Sequence, residues 1–223
     1  MTLRKKAHKI RPEDAGEGHG TMNMICIGNS LTYGYGVSRG QRWTTLAAEK
    51  SGWTLTNHGV CGDTTGGMLV RMREIMRETA GRRDERCFLL MGGYNDIFFS
   101  GSSAGARENM AAMVHQLFAA GEMPLVAIGP GLAEGTYPAP WVNAVDFASA
   151  AAQIREYEEW LERFCDAFGV RSIDFRGDFR DRSGRARAEL RLDGLHLNSD
   201  GHRVMAERVC KVISVMEREQ MNA

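Results

Sequence analysis

From Asn23 onward, short apolar runs alternate with longer stretches whose apolar residues recur at helical spacing. Met24–Ile27, Thr54–Thr56, Cys87–Met91, Leu125–Ile128 and Val170–Phe175 read as strands. Helices are predicted near Trp43–Lys50, Met68–Thr79, Arg107–Ala120 and Phe147–Phe168, with a last one over about Asp200–Glu217. Ile154, Tyr157, Leu161, Phe164 and Phe168 fall on one stripe, as do Met205, Val209, Val212 and Met216. Met68, Met72 and Met76 read as a core stripe, and Gly121 and Gly169 stand where helices should stop. Strands alternating with helices imply parallel βαβ units with right-handed crossovers, hence a three-layer α/β/α sandwich on five strands. Pattern alone leaves the strand order open.

Composition adds bounds. A chain of 223 residues with 43% hydrophobic and 25% charged positions can build one core. Lysine plus arginine equal aspartate plus glutamate at 28 each, which argues against a nucleic-acid partner. No run approaches the ~18 apolar residues of a membrane span. Residues 1–21 read as a disordered tail, with residues 22–223 as a single domain. Arg4, Lys5, Lys6, Lys9 and Arg11 are followed by a polar, glycine-rich stretch rather than an apolar one, unlike a secretory signal. Five dispersed cysteines without a Cys-x-x-Cys fit buried free thiols and a cytoplasmic location.

Four short segments carry candidate chemistry. The first predicted strand runs into Gly28-Asn29-Ser30-Leu31-Thr32, which delivers a hydroxyl to the carboxyl edge of the sheet. Open α/β sheets keep their reactive crevices at that edge. Gly62-Asp63-Thr64, Gly93-Tyr94-Asn95-Asp96 and Asp193-Gly194-Leu195-His196 follow. Together they hold a nucleophile, oxyanion donors of two kinds, and a base with a carboxylate to orient it. Serine needs such a base at neutral pH, and an imidazole with its ordinary pKa of ~6.5 suits the work. Each segment also has a structural reading. Ser30 and Asp193 suit turns, and Asn95-Asp96 could cap a short helix at Ile97–Ser100. Asp63 and Asp96 suit loop bracing. Histidines 8, 19, 58, 115 and 202 show no metal-ligand spacing, and neither metal nor cofactor is expected.

These segments, the second extended to Gly59-Val60-Cys61-Gly62-Asp63-Thr64-Thr65, resemble the four ordered blocks of the SGNH (GDSL-type) hydrolase superfamily. The likeness is nearest to its thioesterase I/lysophospholipase branch. It implies a flavodoxin-like parallel sheet of order 2-1-3-4-5. It also implies Ser30, Asp193 and His196 as the catalytic residues, and Ser30, Gly62 and Asn95 as the oxyanion hole. One position departs from the pattern. Asn29 stands where the family usually has aspartate, keeping size and hydrogen-bonding capacity but losing charge.

The expected activity is hydrolysis of a small-molecule ester or thioester. An acyltransferase using the same residues and a non-catalytic α/β binding module are the alternatives. Substrate residues are less defined. Tyr33, Tyr35, Phe98 and Trp141 are candidates, with Phe99, Pro138 and Pro140 near them. Gly177–Arg191 carries Arg180, Arg182, Arg185, Arg187 and Arg191. It reads as a solvated excursion, or as a lure for an anionic substrate group.

Overall fold

The computed structural model describes residues 22–81 and 85–222, so the expected tail of residues 1–21 lies outside the described residues. Strands β1 (Asn23–Gly28), β2 (Thr54–Gly59), β3 (Arg86–Met91), β4 (Met123–Ile128) and β5 (Arg171–Asp174) form one parallel sheet of order β2-β1-β3-β4-β5. The three inner strands are buried almost end to end, which is why they read as unbroken apolar runs. β2, at an edge, alternates exposed and half-buried positions over its first four residues.

Helices α2 (Trp43–Ser51) and α8 (Ser199–Met221) pack together on one face, and α3 (Thr65–Glu78), α5 (Ala104–Ala119) and α7 (Phe147–Phe168) cover the other. The α2–α8 layer is pinned by Trp43. Its indole donates to Leu31 O at 3.0 Å, and its backbone N–H donates to His202 Nδ1 at 3.3 Å. His202 is buried, and burial, then the positive charge of Arg42, push its pKa down to about 4.

Several local details differ from the pattern. α3 begins three residues early because Thr64 caps it, its side chain accepting from Gly67 N–H at 3.5 Å. Short helices α1 (Ser30–Tyr33), α4 (Tyr94–Ser100) and α6 (Ala139–Val142) are too brief for a stripe to show. In α4 the cap is Gly93 at φ 113°, so Asn95 and Asp96 lie within the first turn rather than ahead of the helix. Phe168 is half exposed, meeting His115 edge-on and Phe164 at a tilt at the last turn of α7 instead of entering the core. Cys26, Cys87, Cys165 and Cys210 are buried free thiols, whereas Cys61 is exposed. Among the described residues no helix is long and apolar enough to cross a membrane.

Register positions the site. Gly28 of β1 pairs with Gly59 of β2 and with Met91 of β3, so three strands end level. The segments beginning at Asn29, Val60 and Gly92 therefore leave the sheet side by side. They leave it tightly packed. A Cβ on Gly28 would lie 2.6 Å from Met91 O, and one on Gly59 would lie 2.6 Å from Tyr33 Cα.

Candidate active site

Ser30 stands at the strand-to-helix turn after β1 and is the first residue of α1. Asn29 caps that helix, Oδ1 accepting the Leu31 N–H at 3.2 Å. This accounts for the amide at the position where an aspartate was expected, since either side chain can cap.

His196 reaches Ser30 from the other end of the chain. A loop over residues 190–198, the last part of the segment from β5 to α8, folds back on itself, Leu192 N–H donating to His196 O at 2.9 Å and Asn198 N–H to Leu190 O at 3.1 Å. Asn198 then caps α8 through Oδ1, which accepts from Asp200 N–H and Gly201 N–H at 3.0 Å each. Within this loop Asp193 Oδ1 accepts the N–H groups of Leu195 at 2.7 Å and His196 at 2.6 Å. Its other oxygen, Oδ2, lies 2.9 Å from His196 Nδ1, and His196 Nε2 lies 3.1 Å from Ser30 Oγ.

An ionised carboxylate only accepts, so Nδ1 carries the ring hydrogen and Nε2 turns its lone pair to the serine. Burial works to raise the Asp193 carboxyl. The hydrogen bonds from the His196 N–H, its ring and the Leu195 N–H outweigh it and hold the group below its ordinary value. The carboxylate therefore stays charged beside the imidazole. Ser30 and His196 are both buried.

Gly62 occupies an exposed turn at φ 77°, a left-handed conformation that disfavours any side chain. Among the described residues, the backbone N–H groups of Ser30 and Gly62 have no protein acceptor. Asn95 Nδ2 donates to Asp63 O at 2.8 Å, which ties α4 to the turn and leaves a second amide hydrogen. Asp63 and Asp96 do brace loops. Asp63 pairs with Arg71, whose guanidinium also donates to Gly28 O at 2.9 Å. Asp96 accepts from Thr65 N–H at 3.0 Å and from Thr65 Oγ1 at 2.6 Å.

The four aromatic candidates are placed differently. Tyr35 is 46% exposed and its ring lies 4.4 Å from the His196 ring. Tyr33 lies under the Arg42 guanidinium, 4.3 Å from its ring centroid. Phe98 is buried against Trp141 at 5.7 Å and Phe147 at 5.6 Å. Trp141 bridges outward to Phe99, which is 62% exposed. The loop carrying Trp141 is strapped to the histidine loop at Gly194, whose N–H donates to Thr136 O at 2.7 Å and whose carbonyl accepts Ala133 N–H at 2.9 Å. Of the arginines in Gly177–Arg191, Arg191 is not solvated. It is buried and donates to Pro130 O at 2.8 Å and Gly131 O at 3.1 Å. Among the described residues no group of three His, Cys, Asp or Glu side chains is arranged to hold a metal ion.

The family profile described as GDSL-like Lipase/Acylhydrolase matches residues 26–204, a span that runs from β1 through the histidine loop. The chain belongs to the GDSL-like lipase/acylhydrolase family. No curated protein matches it. Solved structures of GDSL type share its fold. A lipolytic protein of the G-D-S-L family from Veillonella parvula is 24% identical with a TM-score of 0.71, over 87% of this chain and 99% of that one. A carbohydrate acetylesterase from Sinorhizobium meliloti is 19% identical with a TM-score of 0.70, over 88% and 100%. The aryl esterase of M. smegmatis is 17% identical with a TM-score of 0.69, over 87% and 99%. At these identities the likeness is one of fold.

Three residues buried behind the site were not read as such from the sequence: Glu158 was not singled out, Tyr94 appeared only as a motif neighbour of Asn95, and Arg191 only as one of a run of arginines. A signal for Glu158 existed. It falls four residues after Ile154 and three before Leu161, on the core face of α7.

Proposed function

We propose that the protein is a serine hydrolase that cleaves carboxylic ester or thioester bonds of small acyl or aryl substrates through an acyl-Ser30 intermediate. The observation that carries this reading is the continuous contact from Asp193 through His196 to Ser30, at 2.9 and 3.1 Å. Membership of an acylhydrolase family supports it, and an acetylesterase and an aryl esterase are among the proteins of like fold.

The geometry supports the following steps. As Ser30 Oγ bonds to the substrate carbonyl carbon, its proton passes to His196 Nε2, and Asp193 stabilises the imidazolium that forms. The carbonyl oxygen becomes an oxyanion facing the Ser30 and Gly62 N–H groups and the free amide hydrogen of Asn95. Each such donor is worth about 3–4 kcal/mol in a dry site. Collapse breaks the bond to the alkoxide or thiolate, which takes the proton from His196. Water then attacks the acyl-serine, giving its proton to the same nitrogen; the bond from the acyl carbon to Ser30 Oγ breaks, Oγ takes that proton back from His196, and the carboxylic acid leaves.

A panel of p-nitrophenyl esters and acyl thioesters of increasing chain length tests the reaction class. Turnover of short or aryl esters, absent in Ser30→Ala, is the expected result. Undiminished turnover in that variant, or none by the wild type across the panel, overturns the proposal.

A further inference from the structure

Helix α7 carries a carboxylate that these steps leave unused. Glu158 lies on the helix's apolar face beside Ile154 and Leu161, 2% exposed. Burying a carboxylate is costly unless a donor meets it. Here the donor is the Tyr94 hydroxyl, bonded to Glu158 Oε1. The same phenol oxygen accepts the Gly131 N–H at 3.0 Å. Gly131 O and Pro130 O in turn accept from Arg191 at 3.1 and 2.8 Å. Tyr94 immediately precedes Asn95, and Arg191 stands two residues before Asp193. One buried network therefore reaches from α7 to the helix bearing the amide donor and to the loop bearing the base.

We propose that the ionised Glu158 carboxylate, acting through Tyr94, Gly131 and Arg191, is a positioning group that holds Asn95 and the Asp193–His196 loop in mutual register. The proposal deepens the hydrolase reading and rests on it for its effect on turnover. A charged acceptor holds a phenol more firmly than a neutral one. With its hydrogen committed to Glu158, the Tyr94 oxygen keeps a lone pair for Gly131 N–H. That contact fixes the two carbonyls gripped by Arg191.

Beside its bond to Tyr94 of α4, Glu158 feels the charges of Arg176 and Arg180 from the segment after β5 and of Asp174 at the end of β5, and it acts on the buried Tyr157 hydroxyl of its own helix. Arg191 adds its charge on the Tyr94 side. Burial dominates and raises the carboxyl, while Tyr94, Arg176 and Arg180 oppose it, leaving its pKa at about 7. The network therefore changes strength across neutral pH.

Glu158→Gln keeps the shape and fixes the neutral state. It also removes the penalty of ionising a buried acid at high pH, so the variant is expected to fold. With p-nitrophenyl acetate, kcat should fall about tenfold against wild type at pH 8 and only about twofold at pH 6, where wild-type Glu158 is itself mostly protonated. KM should stay within about twofold at both values. Tyr94→Phe should show a similar loss at pH 8, and the double variant should be no worse than either single one. Amide hydrogen exchange over residues 190–197 reads the same link without substrate. It should be about threefold faster in Glu158→Gln at pH 8 and equal to wild type at pH 6. Equal kcat ratios at both pH values, additive losses, or unchanged loop exchange at pH 8 would each overturn the proposal. Absence of wild-type turnover would instead count against the hydrolase reading, and the exchange measurement would still decide this one.

Discussion

The loop carrying His196 and the loop carrying Gly62 are held by different means. The histidine loop, residues 190–198, is closed by its own backbone, strapped at Gly194 to the loop after β4, and locked by Asp193 accepting two N–H groups. The glycine loop, residues 60–64, has Val60 N–H on Gly28 O at 3.1 Å, Asp63 N–H on Val60 O at 3.2 Å and Thr64 N–H on Asp63 Oδ1 at 3.0 Å, and is further held by the Arg71 and Asn95 side chains reaching in from α3 and α4. Its tip, Val60 to Gly62, is exposed. The difference matches the tasks proposed for them. Proton transfer needs a donor and acceptor within hydrogen-bond reach throughout the cycle, so the base is braced from within. An oxyanion donor must keep its N–H free for a charge that exists only briefly, so its loop stays open and is steadied from behind.

Breaking the histidine loop's electrostatics should have the largest effect. Asp193→Asn keeps an oxygen for the backbone N–H groups but lets the ring adopt the wrong tautomer. It should lower kcat by about 10³–10⁴-fold with little change in melting temperature. On the glycine-loop side, Asn95→Ala removes both a proposed oxyanion donor and the tether on Asp63. A loss of about 10²–10³-fold in kcat, with KM changed far less, is expected from steady-state kinetics on the same ester. If Asn95→Ala proved as damaging as Asp193→Asn, the contrast between the loops would dissolve.

A smaller effect tests the platform beneath the histidine loop, where α8 is joined to α2 by Trp43 and neutral His202. His202 titrates lower in the folded chain than in the unfolded one, so the stability it confers is complete above ~6.5 and is lost as pH falls toward its folded value of about 4. Urea unfolding at pH 7 and pH 5 should show a loss of about 2 kcal/mol from this group. His202→Gln, which cannot charge, should lose correspondingly less between the two conditions.

Much of this arrangement was legible in the sequence because parallel strands and their following turns are contiguous. Apolar runs located β1, β3, β4 and β5, the segment Thr54–Thr56 caught the first half of β2, and the stripe from Ile154 to Phe164 located α7 with its ends at Phe147 and Phe168. The candidate site residues sit in short motifs, those of Ser30, Gly62 and Asn95 just after β1, β2 and β3 and that of His196 just before α8, so they could be picked out locally. What resisted reading was long-range or very short. The helix at Tyr94–Ser100 spans two turns, too few for periodicity, and its cap is a glycine rather than a polar side chain. Arg191 looked solvated beside four other arginines, but two carbonyls sixty residues away in sequence draw it inward. Glu158 was hidden in the same way, its partner lying on another helix.

The central claim is that Ser30 Oγ is the nucleophile made reactive by His196. Treating the protein with a fluorophosphonate and mapping the adduct by peptide mass spectrometry tests it most directly. The account predicts one adduct, on Ser30, forming in step with loss of ester hydrolysis and absent from His196→Ala. An adduct confined to another residue, or full labelling of Ser30 without His196, would contradict it.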